Sequence, residues 1–93
     1  MQPTVVVNRH RQTAIIIARH GSKYEIIKLG KGRLTVTSLS AAELEIQGYE
    51  ACQYPPSQAA CAYLRHGAGV SKKARKYLEN IACNKFSDIL SLT

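Results

Sequence analysis

Four apolar, largely β-branched runs crowd into the first forty positions, with turn-forming residues between them. Val5, Val6 and Val7 form the first, and Ile15, Ile16 and Ile17 the second. Ile26 and Ile27 form the third, and Leu34 and Val36 alternate with Thr35 and Thr37 in the fourth. Such side chains are stiff at χ1 and pack well on a pleated surface, so each run reads as a strand. The second and third are joined by His20-Gly21-Ser22-Lys23, where Gly-Ser suits a two-residue type II′ hairpin. Gly30-Lys31-Gly32 reads as a slightly longer hairpin loop. Residues 8–12 turn the first strand into the second and put Arg9, His10 and Arg11 at a basic tip. Short strands joined by tight loops predict a four-stranded antiparallel meander, of which an SH3-like barrel is one closure.

The second half reads as helical. Ser40 and Glu43 have capping-box spacing, and Gly48 is a stop signal. Pro55-Pro56 breaks the chain before a second helix over 57–66, which Gly67-Ala68-Gly69 ends. Ser71 is a good N-cap for a third helix to about residue 82, with Ala74, Tyr77, Leu78 and Ile81 on one stripe. Phe86, Ile89 and Leu90 repeat that spacing and suggest a last turn that docks. The expected class is α+β, with two or three short helices packed on one face of the meander. A chain of 93 residues makes one domain, strand-rich over 1–39 and helical over 40–93. No apolar run approaches the ~18 residues of a membrane span. The start MQPTVVVNRHR lacks the basic and long apolar regions of a secretory signal, so a cytoplasmic protein without membrane contact is expected.

Charge gives the main functional pointer. The chain carries 13 Lys and Arg against 6 Asp and Glu, a net +7. Residues 1–35 hold seven bases and a single acid, Glu25. The middle is acidic through Glu43, Glu45 and Glu50, and the last part is basic again. This asymmetry points to a polyanionic partner. Lys72, Lys73, Arg75 and Lys76 occupy the first two turns of the third helix. Bases there oppose the helix dipole by about 0.3–1 kcal/mol each, unless an anion compensates. The stretch Leu64-Arg-His-Gly-Ala-Gly-Val-Ser-Lys-Lys-Ala74 resembles a helix-hairpin-helix motif, with Gly67-Ala68-Gly69 as its turn. Gly69-Val70-Ser71 and the basic helix also resemble part of a helix-turn-helix. Both resemblances imply DNA or RNA and rest on the same residues. The expected contacts are Lys72, Lys73, Arg75 and Lys76 on phosphates, with Arg9 and Arg11 as a second anchor.

Catalytic and metal readings are weaker. Ala18-Arg19-His20-Gly21 resembles the histidine phosphatase signature, but that family needs a parallel sheet in a chain about twice this size. A small toxin-like ribonuclease would use His20 with Arg19 and Lys23, and no paired general acid is evident. Cys52, Cys61 and Cys83 have no C-x₂-C pair, so reduced, mostly buried thiols and no metal or cofactor are expected. Tyr63 and Tyr77 fall on apolar helix faces, whereas Tyr24 beside Lys23 is placed to stack a base. The expected function is non-enzymatic nucleic-acid binding by a small regulatory or accessory protein of the phage or plasmid kind. The alternative is a protein-interaction module, an inhibitor or adaptor, that binds an acidic protein surface. A homodimer through an edge strand, with the first strand as candidate, suits both.

Overall fold

The computed structural model describes residues 3–83, so the expected docking turn at 84–93 lies outside the described residues. The order is β1 (Thr4–Val7), β2 (Thr13–His20), β3 (Lys23–Lys28), β4 (Val36–Ser40), α1 (Ala41–Ile46), β5 (Glu50–Ala51), α2 (Pro56–Leu64) and α3 (Lys72–Ala82). The fold is α+β, built on a five-stranded antiparallel sheet in the order β4-β3-β2-β1-β5. β4 and β5 are the two ends of the row rather than neighbours, so the pairing does not close into the SH3-like barrel that the sequence allowed as one closure. β1 lies inside the sheet between β2 and β5, which removes it as the edge for a dimer.

The helices do not share one face of the sheet, which corrects the expected one-sided packing. Val5, Ile15, Ile17 and Ile27 pack with Ala60, Tyr63, Ala74, Leu78 and Ile81 of α2 and α3. Val6, Ala14, Ile16, Ile26 and Leu39 pack with Leu44 of α1 on the other side. The physical reason is visible in β2. A strand buried on both faces reads as a continuous apolar run, not an alternation. Ile15, Ile16 and Ile17 are that run, and all three are buried.

Local signals account for most boundaries. Gly21 has φ 63° at the first turn position, as a II′ hairpin requires. Ser40 and Glu43 form a reciprocal capping box, and Gly48 follows the C-cap of α1 with φ 77°. β4 starts at Val36 rather than Arg33, because Leu34 is drawn away to another partner. Leu34 N–H donates to the Gly69 carbonyl (3.0 Å), and Ser71 N–H donates to the Leu34 carbonyl (2.8 Å). This parallel bridge ties the α2–α3 connection to the sheet.

Tyr63 is buried, and its hydroxyl donates to Thr13 Oγ1 at 3.0 Å. Burial pushes this phenol above its ordinary value of 10.0; the Thr13 bond opposes the shift only in part. The fold therefore accepts the neutral hydroxyl, and its stabilisation is complete below the unfolded value and lost as pH rises through the folded one. Tyr63→Phe should lose about 0.5–1.5 kcal/mol near neutral pH. It should also show a shallower loss above pH ~10 than the wild type. Urea denaturation at both pH values checks this.

Candidate nucleic-acid interface

α3 forms because its apolar residues repeat at helical spacing, and because Ser71 Oγ accepts the Ala74 N–H (3.2 Å). Ala74, Leu78 and Ile81 are buried, so the basic residues of its first two turns must face outward. At about 100° per residue, Lys72 and Lys76 share the solvent side. Lys73 falls on one flank and Arg75 about 200° away on the other. The four bases therefore fan across the outer side of the helix, with Lys72 and Lys76 central and Lys73 and Arg75 on the two flanks. The Gly67-Ala68-Gly69 turn is used differently from what its resemblance implies. Gly69 has φ 95°, and its carbonyl accepts from Leu34, so this backbone is turned toward the sheet.

The flank of Lys73 faces the β2–β3 hairpin. The pairing of β2 with β3 shifts register between Ile16 and Ala18. A bulge of this kind re-aims the side chains beyond it. Ile17 and Ala18 thus both pack toward α2 and α3. From there on, His20 and Glu25 project to the α3 face. Arg19 projects to the α1 face, its guanidinium carbon 5.6 Å from the centre of the Tyr24 ring. His20 Nε2 lies 3.1 Å from Glu25 Oε1, and Lys73 Nζ lies 3.8 Å from Glu25 Oε2. Glu25 is largely buried, and its Oε2 has no hydrogen-bond partner among the described residues, so the lysine ammonium is its electrostatic compensation. One carboxylate thus lies between the hairpin end and Lys73 of α3. It sits beneath a surface of Lys23, His20, Lys73, Lys72 and Lys76.

Glu25 is the part of this surface that sequence reasoning missed, and the hairpin bases His20 and Lys23 entered it only as the ribonuclease group, not as neighbours of α3. The signal was present: Glu25 is the single acid in the first 35 residues, and strand alternation places it two positions from Lys23. The His20–Glu25 pair also gives the ribonuclease alternative an orienting carboxylate. The groups around it are cations suited to holding phosphate.

Arg9 and Arg11 lie elsewhere. Arg9 Nη2 donates to the Ile46 carbonyl at the end of α1 (3.0 Å), and its side chain covers Gly48. Its tip belongs to the α1 side of the sheet, opposite α3. Asn8 builds this turn: Oδ1 accepts the N–H groups of His10 and Gln12 (2.9 Å each), and Nδ2 donates to Gln12 Oε1 (3.0 Å). Arg11 takes a left-handed φ of 61°. Asn8→Ala strands two N–H groups and should cost about 2 kcal/mol, read by chemical denaturation.

The remaining candidates have local roles. His66 Nε2 donates to the Gly32 carbonyl (2.9 Å), which helps pin the α2–α3 connection. Cys52, Cys61 and Cys83 are free thiols and all exposed, which corrects the expectation of burial. Cys61 is on the outer side of α2, away from Ala59, Ala60 and Tyr63, and Cys83 caps the end of α3. Among the described residues, no helix is long and apolar enough to cross a membrane. No family description, curated protein or solved structure gives a significant match to the chain.

Proposed function

We propose that this is a small nucleic-acid-binding protein of regulatory or accessory type, and that it grips phosphates with α3 and the β2–β3 hairpin together. The observation that carries the reading is the Glu25 bridge. It brings Lys73 to the hairpin, so two basic segments distant in sequence form one surface. Lys72, Lys73 and Lys76 supply point charges on the helix, and Lys23 and His20 continue them onto the sheet. Arg75, next to Lys72 at i,i+3 spacing, extends the same basic surface onto the other flank. Arg9 is tied to the Ile46 carbonyl on the α1 side and does not join this surface.

Among the described exposed acids, Glu79 lies on this side of α3, three positions after Lys76, and the others lie apart from it. Glu43 and Glu45 are exposed on α1, across the sheet from α3. A polyanion approaching α3 therefore meets a net positive face, Lys72, Lys73, Arg75 and Lys76 against Glu79, which favours fast, salt-sensitive association. The test is anisotropy of labelled oligonucleotides at two salt concentrations, with Lys72→Glu/Lys76→Glu as the variant. Affinity should fall steeply with salt for the wild type. Absence of binding at low salt overturns the reading. Intact RNA on a gel after incubation separates binding from the ribonuclease alternative, which predicts fragments that disappear in His20→Ala.

A protein partner is favoured by one separate observation. An apolar groove beside α2 is lined by Leu29, Cys52, Tyr54 and Ala62, with Leu29 and Tyr54 both exposed. Exposed apolar residues of this kind suit protein contacts better than phosphates. A single saturable protein complex of defined stoichiometry, with no oligonucleotide binding, would support that reading.

A further inference from the structure

The proposed phosphate surface does not stop at the α3 face. At the hairpin end, consecutive residues project to opposite sides of the sheet. His20 sits beside Glu25 and Lys73 on one side, and Arg19 lies over Tyr24 on the other. Positive charge therefore wraps around a sheet end three strands wide, since β4 pairs with β3 as far as Lys23, or about 10 Å between the outer strand axes. Duplex DNA is straight over such a distance, with a persistence length of about 50 nm, and can follow only one side. A single strand can follow both.

The α1 side also offers a place for a base. α1 has six residues and leaves part of the sheet uncovered. The uncovered part is a groove of about 400 Å³. Val6, Ile16 and Leu44 line it, with Tyr24 at the hairpin end and Tyr49 at the β5 end. The charged group among its lining residues is Glu45. That carboxylate rejects a phosphate and accepts N–H groups. A planar apolar ring bearing an amino group fits this chemistry, and Arg19 at the mouth suits the phosphate attached to it. Tyr24 is half-buried, its ring packed on the sheet and so held rigid for stacking.

We infer that the partner is single-stranded nucleic acid, whose backbone passes around the β2–β3 tip and which places one base against Tyr24 in the groove under α1. This inference rests on the nucleic-acid reading above and narrows it. On binding, Arg19 exchanges the Tyr24 ring for the phosphate, and the base takes its place on the ring. Glu45 accepts the exocyclic amino group, so adenine and cytosine are preferred to uracil.

The experiment compares twelve-residue oligo(A), oligo(C) and oligo(U) with a duplex of equal length, by anisotropy at one low salt concentration. The wild type should bind oligo(A) and oligo(C) about tenfold tighter than the duplex, the scale of one stacked base. Tyr24→Ala should lose that preference and keep the duplex affinity, Tyr24→Phe should retain it, and Glu45→Gln should narrow the gap between oligo(C) and oligo(U). With unsubstituted protein, adenosine monophosphate should shift the NMR ring signals of Tyr24 and leave those of Tyr54 in place. That measurement stands even where Tyr24→Ala fails to fold. Equal, salt-sensitive binding of all probes overturns the single-strand inference while the phosphate reading stands. Unmoved Tyr24 signals overturn the base site, and no binding of any probe overturns both.

Discussion

Lys72→Glu/Lys76→Glu should bind oligonucleotides at least tenfold more weakly than the wild type while melting no lower. Both side chains are exposed on the outer side of α3, and neither has a hydrogen bond or ion pair to another described group. Each reversal takes away a cation that faces phosphate and adds repulsion. The salt dependence should flatten as well, by about 0.7–0.9 in log–log slope for each phosphate no longer neutralised. Stability should move the other way. Position 72 is the first residue of α3, where an acid interacts favourably with the helix dipole by about 0.3–1 kcal/mol. Weakened binding with an unchanged or raised melting temperature therefore cannot be ascribed to unfolding. Lys73 is left in place on purpose, since a glutamate there would face the Glu25 carboxylate and loosen the hairpin. A variant with wild-type affinity and salt slope would exclude this side of α3 as the binding surface.

Leu78→Ala should give the largest loss of stability, toward the upper part of the usual range of about 2–5 kcal/mol for such a truncation. Leu78 is fully buried where α3 meets the sheet, in one cluster with Ile15, Ile27 and Leu34. Elements from both halves of the chain surround it, so the cavity has little freedom to close. A domain of this size has roughly 5–14 kcal/mol in total, so the loss is a large fraction. The melting temperature should fall by roughly 14–40 °C. Leu78→Met keeps the volume and should cost less than about 1.5 kcal/mol. Since Leu78 seats α3, oligonucleotide affinity should fall with stability in Leu78→Ala and recover in Leu78→Met. A melting temperature within a few degrees of wild type in Leu78→Ala would show that α3 is not anchored there.

Local structure was legible in the chain wherever one residue type answers one local demand. Gly21 marked a hairpin, Ser40 with Glu43 marked a helix start, and Ser71 with the Ala74, Leu78 and Ile81 stripe marked α3. These signals act over three to four residues and need no distant partner. The basic charge and its segregation from Glu43 and Glu45 were likewise in the sequence, because charge is a property of composition.

Tertiary structure alone decided which elements meet. β5 is two residues long and exists because it pairs with Val6 and Val7 of β1, a partnership with no local signature. Leu34 left the β4 ladder for the α2–α3 connection for the same reason. Most consequential is the register shift in β2. It moves His20 to the α3 face and Arg19 to the α1 face, and so makes the hairpin, not the Arg9–Arg11 tip, the neighbour of Lys73. A one-residue slip reverses every side chain beyond it. It is stabilised here by packing both Ile17 and Ala18 against α2 and α3, helices encoded more than thirty residues downstream. The sequence thus determined the local elements and the sign of the surface, and long-range packing decided which of its charges share a face.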